Sequence, residues 1–297
     1  MIPRRQFLAA SLASLTVASS SRLVAAESKA NNPLCVFTKP FNSLSFDELA
    51  TEIARLGFDG IEAPIRRGGH VEPERVPDDL PRLVEALAKR DLTITLMTTD
   101  INDPADPTTE KVLRAAATLG IQRYRMKYFR YDDDLPIRDQ LANWHDQLVD
   151  LAAMNHDFNL TGLYQNHAGT KYFGAPLWDL ATVLEGIEPT DIGVAYDIRH
   201  ATVEGGTSWP TTFRRIQPHI DTVYVKDFRW NDDKIVDVPL GEGRVAKKFF
   251  EMLREINFAG PISLHEEYLS HKEPKLVPKH LEAIGKDLDT LQGLLAG

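Results

Sequence analysis

Short apolar runs and amphipathic stretches alternate along this chain with a regular beat. After Asn31-Asn32-Pro33 comes LCVFTK (34–39), which reads as a strand. Ser45 then caps FDELATEIARLG, whose Phe46, Leu49, Ile53 and Leu56 share one helical face before Gly57 ends it. The same unit recurs. Strands are expected at GIEAPI (60–65), LTITLMTT (92–99), IQRYRMKYF (121–129), LTGLYQNH (160–167), IGVAYDI (192–198), DTVYVKDF (221–228) and GPISLHEEY (260–268). Between them the pattern predicts helices in DDLPRLVEALAKRD, in TEKVLRAAATLG, and over about 136–154, from 178, and over 209–217, 245–256 and 279–295. Residues 229–243 form an excursion with room for a small hairpin.

Eight strands alternating with eight helices, over roughly 260 residues, match the size and order of a single-domain α/β fold, the (β/α)8 TIM barrel. Such alternation implies parallel strands with right-handed crossovers. A doubly wound open sheet shares the alternation, but no Gly-rich dinucleotide fingerprint follows the first strand.

Residues 1–26 break the beat. Arg4 and Arg5 precede an apolar middle rich in Ala, Ser and Leu, and small residues follow at Ala25 and Ala26. That three-part pattern is a secretory signal, and the paired arginines before Gln-Phe-Leu resemble a twin-arginine export signal. Cleavage is expected after Ala26, the barrel domain over residues 27–297, and the location periplasmic or otherwise exported. Repeated Ser and Arg22 argue against a permanent membrane span.

Charge narrows the partners. Removing residues 1–26 takes away three arginines and no acid, which moves the net charge from −9 to −12. An acidic domain does not suit a nucleic-acid backbone or an anionic membrane. The lone Cys35 cannot form an intramolecular disulfide and is expected as a buried thiol on the first strand.

Barrel chemistry belongs at the C-terminal ends of the strands. There the sequence places Glu62; Arg125 and Lys127; Gln165, Asn166 and His167; Asp197 with His200; Tyr224, Lys226 and Asp227; and His265, Glu266 and Glu267. Burying so many polar groups is costly unless they pair or bind something. For Glu62 a neighbouring Arg or Lys is the simpler explanation. For Lys226, Asp227 and Arg125 interstrand pairing and function weigh equally. Asp197 reads either as the cap of a following helix or as a site residue. Alternation puts His265 and Glu267 on one face, Tyr224 and Lys226 on one, and Gln165 and His167 on one. Gln165, Asp197, His200, His265 and Glu267 facing inward would form a mixed O/N site for Mn²⁺, Mg²⁺, Co²⁺ or Zn²⁺. There is no HExxH, no Cys-based zinc spacing and no G-x-S-x-G elbow, and LGEGR is too short for a phosphate loop. Arg125, Lys127 and Lys226 are candidates to hold an anionic group such as a carboxylate or phosphate; a phosphorylated substrate is not expected of an exported protein.

These strand ends resemble the xylose-isomerase-like barrels, the sugar phosphate isomerase/epimerase group. The markers are GFDGIEAP, QNHAG, VAYDIRHA, VYVKDF, PLGEG and GPISLHEEY, in order over nearly the whole mature chain. The resemblance implies one divalent ion held by Glu, Asp, His and Glu on strands five to eight, two carboxylates flanking a sugar, and often a homodimer. Metal and carboxylates would together move a proton next to a carbonyl. Asp197 falls on the strand-six ligand with His200 as its neighbour. The strand-eight carboxylate falls on Glu267, or in another register on the His265 position. Two positions depart: Gln165 stands where the family has Glu, and Tyr224 where it has His. Gln can ligate but is no base, and a neutral Tyr is a poor ligand; His167 or His265 would have to take over. The metal set expected is therefore Asp197, Glu267, Gln165 and His265, and the catalytic set Glu267, His200, His167 and Lys226. The function expected is an exported, metal-assisted isomerase or epimerase of a sugar or polyol. The alternatives are a barrel that binds a sugar-like ligand without chemistry, and a carbohydrate lyase or hydrolase.

Overall fold

The computed structural model describes residues 32–297. Eight parallel strands close into a barrel: β1 (Leu34–Phe37), β2 (Gly60–Pro64), β3 (Thr93–Thr98), β4 (Arg123–Arg125), β5 (Thr161–Gln165), β6 (Ile192–Asp197), β7 (Ile220–Val225) and β10 (Ile262–Leu264). Two further strands, β8 (Asp227–Asn231) and β9 (Lys234–Val238), pair as an antiparallel hairpin over a two-residue turn, Asp232-Asp233. This is the (β/α)8 barrel that the alternation predicts. The signal segment and its cleavage point lie outside the described residues. No described helix is long and apolar enough to cross a membrane.

The helices form for local reasons. Helix α1 (Phe46–Leu56) opens on a complete capping box between Ser45 and Glu48, and ends at Gly57 in the left-handed conformation (φ 90°). Its Leu49, Ala50 and Ile53 are buried against the barrel. Helices α2 (Val76–Ala88), α3 (Pro107–Thr118), α4 (Ile137–Phe158) and α5 (Leu177–Val183) follow in order. Then come α6 (Ile198–Gly205), α7 (Trp209–Ile216), α8 (Lys247–Glu255) and α9 (Val277–Ala296). Helix α6 has no counterpart in the periodicity. It is only eight residues long, and what starts it is Asp197, whose Oδ1 accepts the His200 N–H at 3.0 Å. The cap and the barrel-strand terminus are one residue, so both readings of Asp197 hold.

Two strands are shorter than expected. Strand β4 stops at Arg125, because the Lys127 N–H turns to the Ile101 carbonyl (2.9 Å) and the Phe129 N–H to the Tyr164 hydroxyl (2.9 Å). Strand β10 is only three residues, although the His265 N–H still bonds the Val225 carbonyl at 2.9 Å.

The apolar interior has two layers. One large cluster fills the space between barrel and helices, and a small one, Cys35, Leu96, Leu163, Ala195 and Tyr224, fills the barrel itself. Side chains alternate along a strand, so the residue two places on shares its face. That rule carries Leu96 to Thr98, Leu163 to Gln165, Ala195 to Asp197 and Tyr224 to Lys226. The apolar plug thus becomes the floor of a polar mouth, as the layering of such barrels requires.

Candidate active site at the barrel mouth

The mouth is organised around Lys226. Its ammonium Nζ lies 3.1 Å from Asp197 Oδ2 and 3.2 Å from Glu267 Oε2. Lys226 is 4% exposed and Asp197 fully buried, so this is an ion pair in a poorly solvated place. Burial disfavours the charge on each, but the partners outweigh it. The Asp197 and Glu267 carboxylates are held below the usual carboxylate range, chiefly by Lys226, and the Lys226 ammonium well above its ordinary value by the two of them. All three stay charged near neutrality.

Gln165 completes the arrangement. Its Nε2 donates to Asp197 Oδ2 (2.8 Å), while its Oε1 accepts from Arg125 Nη1 (3.1 Å) and from the Tyr128 hydroxyl. A glutamate here would set a second carboxylate against Asp197; the amide supplies a donor instead. Asn166, facing the other way, ties β5 to β6 by bonding the Asp197 backbone on both sides (2.8 and 3.0 Å).

His265 looks elsewhere. Its Nε2 pairs with Glu62 Oε2 at 2.7 Å, and Glu62 also accepts from Ser263 Oγ (2.7 Å) and Thr98 Oγ1. Burial opposes the Glu62 charge, but His265 and these donors prevail and bring its pKa down to about 2. Glu62 is thus satisfied by a histidine and two hydroxyls, not by the Arg or Lys expected. His265 Nδ1 has no hydrogen-bond partner and lies 4.0 Å from Glu267 Oε1.

Two more imidazoles lie at the site: His167 lines the cleft, and His200 is buried behind it with ring centres 4.0 Å apart. His200 Nδ1 accepts from Arg199 Nη1 (3.0 Å), since a guanidinium can only donate. Its proton therefore sits on Nε2, 3.6 Å from Asp197 Oδ2. Burial, with the charge of Lys226, pulls its pKa well below the ordinary value, and it is neutral. His167 Nδ1 donates to the Ala168 carbonyl (2.9 Å), which leaves Nε2 as a free acceptor. Burial and Lys226 bring it to about 4.

The cleft over these groups is about 170 Å³ and is also lined by Phe37, Lys39, Arg66, Arg125 and Tyr128. Arg66 follows β2 in a loop and Lys39 opens a short 3-10 turn (Lys39–Phe41) after β1, and neither was among the sequence candidates. Lys127, which was, lines a separate cleft with Asp100 and Asp106, because β4 ends before it.

A divalent ion does not fit the mouth as it is built. Ligands would have to approach to about 2.0–2.6 Å, yet the oxygens of Asp197 and Glu267 that face each other already enclose an ammonium. Gln165 offers Asp197 its N–H and Tyr224 supplies no imidazole, so beside the Lys226-bound carboxylates only the unpartnered Nδ1 of His265 is left to ligate. One trio of potential ligands does converge among the described residues: Glu266, His271 and His280, with ligand atoms within 4.8 Å. It faces away from the mouth. Glu266 accepts from His280 Nδ1 and the Leu269 N–H, and His271 Nε2 donates to the Glu266 carbonyl (2.7 Å), so the trio pins the loop after β10 to α9.

Asp227, the remaining strand-end acid, is structural. Its carboxylate accepts the backbone N–H groups of Phe228, Gly241, Gly243, Arg244 and Val245. This explains the PLGEG stretch: a Cβ on Gly243 would come within 2.2 Å of Asp227 Oδ1.

Residues 50–288 match the family model described as xylose isomerase-like TIM barrel. The chain belongs to this family. No curated protein sequence matches the chain. Among solved structures it is similar to a xylose isomerase domain protein from Planctomyces limnophilus (14% identity, 89% of this chain and 97% of that one, TM-score 0.66). It is similar too to 3-keto-D-glucoside 4-epimerase from E. coli (15%, 88% and 99%, TM-score 0.67). A third is a probable 3-DHS dehydratase from Bacillus anthracis (17%, 84% and 98%, TM-score 0.62). At such identities these likenesses establish the shared barrel; the chemistry of this xylose isomerase-like chain rests on its own residues.

Proposed function

We propose that the chain is a sugar isomerase that moves a proton next to a carbonyl, with the Lys226 ammonium in the role a divalent ion would otherwise fill. The observation that carries this reading is the Asp197–Lys226–Glu267 contact at the mouth. A carbonyl oxygen entering the cleft is attracted to Lys226 and competes with Glu267 for it. Glu267, 27% exposed at its side chain where Asp197 is fully buried, is the partner free to move. Released from the ammonium, its carboxylate regains basicity and takes the proton from the neighbouring carbon. The C–H electron pair passes into the C–C bond, and the carbonyl electrons to oxygen, giving an enediolate beside a fixed positive charge. Asp197 keeps Lys226 protonated and in place, and the Gln165 amide holds Asp197.

With one mobile carboxylate, the proton returns on the face it left, to the former carbonyl carbon, while the hydroxyl proton of the neighbouring carbon passes to the former carbonyl oxygen and a new carbonyl forms where it left. That favours aldose–ketose interconversion over epimerisation, which needs a second group across the substrate. His167 also lines the cleft, but its low basicity makes it a weak one. The basic, apolar and small-residue pattern of residues 1–26 supports export of the protein, so its substrate would be an extracytoplasmic carbohydrate.

The test is exchange of substrate C–H for solvent deuterium, followed by NMR over a panel of aldoses and ketoses in the presence of a chelator. Exchange that is abolished by Glu267→Gln and by Lys226→Met is expected. Exchange that requires an added divalent ion would refute the role given to Lys226. Binding of sugars without exchange would favour the second reading, a binding barrel, which the loss of a base at Gln165 supports.

A further inference from the structure

We infer that the ligand of the mouth carries a carboxylate, held by Arg125, Arg66 and Lys39. The inference deepens the reading of the mouth as a sugar site and rests on it. On a chain of net charge −9, this one cleft gathers four cations: Lys39, Arg66, Arg125 and Lys226. Lys226 is neutralised by Asp197 and Glu267, and Glu62 is taken up by Thr98, Ser263 and His265. Among the described residues no carboxylate lies within ion-pair distance of the other three cations.

Arg125 is the decisive one. It is 5% exposed, and its Nη1 donates to a neutral partner, Gln165 Oε1, at 3.1 Å. Glu62 and Glu267 attract it from beyond contact distance, so its charge is favoured, but no carboxylate meets its fork, and a buried guanidinium left without a direct partner forgoes its strongest contact. Chains retain such a cost where function needs it. Arg66, half-buried, lies with its guanidinium 5.9 Å from the centre of the Phe37 ring that also lines the cleft. Lys39 stands on the rim. Burial and the repulsion of neighbouring cations lower the proton affinity of both; an anion would relieve that repulsion.

The shape of the charge selects the anion. Guanidinium forks match the two oxygens of a carboxylate. A cleft of about 170 Å³ takes a molecule smaller than drug-sized ligands, whose sites start near ~300 Å³. The ligand class is therefore a small sugar acid, its carboxylate among the three free cations and its carbonyl at Lys226.

Isothermal titration of the purified chain with D-gluconate and D-glucuronate, against D-glucose, D-fructose and inorganic phosphate, tests this. At least one acid should bind roughly tenfold or more tightly than the neutral sugars, the worth of one charge-assisted contact. Arg66→Met and Arg125→Met should each erase that preference. Equal binding of acids and neutral sugars, no acid binding at millimolar concentration, or tighter binding of phosphate would each overturn the inference. So would a preference that survives both substitutions. Acid binding without deuterium exchange would sink the proposed isomerisation and leave this inference standing; exchange on neutral sugars without acid preference would do the reverse.

Discussion

Replacing Lys226 by methionine is the sharpest perturbation the site allows. The change keeps most of the side-chain volume and removes one charge. What remains is Asp197, fully buried, facing an amide and a backbone N–H but no counter-ion. At an effective dielectric of about 20, unit charges separated by the 3.1 Å and 3.2 Å seen here attract by roughly 5 kcal/mol each. Desolvation of the three groups offsets much of that, and removing one member of a buried pair costs about 3–5 kcal/mol in practice. Lys226→Met should therefore lose about that much in urea unfolding at neutral pH. Asp197→Asn in the same background should recover most of it, because asparagine still caps α6 and no charge is stranded. The pH dependence has a fixed sign. In the parent chain Asp197 is held below its unfolded value by Lys226, so its contribution is present above that value and is lost as pH falls through the depressed folded one. In Lys226→Met the strongest force against burial is gone, leaving His265, the His200 N–H and Arg199, so the folded value rises, and the deficit is full at neutral pH and narrows on acidification. A loss below about 1 kcal/mol, a double substitution that is simply additive, or a gap that stays constant down to about pH 4 would refute the ion-pair account.

Three further outcomes are expected. Asp227→Asn should destabilise the fold by about 3 kcal/mol, because it turns one acceptor of five backbone N–H groups into a donor; chemical unfolding measures it. His70 and His167 are both brought from the ordinary 6.5 to about 4 by burial, with Lys226 adding to the effect at His167. The unfolded chain then binds more protons between those values, so stability is lost as pH falls from 6.5 towards 4, and replacing both by Gln should remove about two protons from that slope. Either imidazole titrating near 6.5 by NMR would contradict this. Ser45→Ala should cost about 1 kcal/mol through the lost capping box, read in chemical unfolding.

The barrel was legible because its two periods, 2 for strands and 3.6 for helices, alternate without interruption. The inward placement of Gln165, Asp197 and His265 followed from alternation on those strands. What alternation could not supply was distance. Lys226 shares a strand face with Tyr224, but nothing in the sequence says that its ammonium reaches both Asp197 and Glu267. Lys127 was misplaced because the apolar run of β4 continues past the point where backbone bonding ends the strand. Lys39 and Arg66 sit two residues beyond β1 and β2, in a short 3-10 turn and a loop, where no periodicity marks them; their offset from a strand end was the one available signal. Helix α6 escaped because its cap is a strand residue and its eight positions are too few to show a stripe.

Titration with Mn²⁺, read by electron paramagnetic resonance, tests most directly whether an ammonium stands in for the metal. The ion pair predicts no stoichiometric Mn²⁺ at the mouth at neutral pH, and a spectrum that Asp197→Asn leaves unchanged. One equivalent of tightly bound Mn²⁺ that disappears in Asp197→Asn, yet persists in His280→Gln, would contradict it.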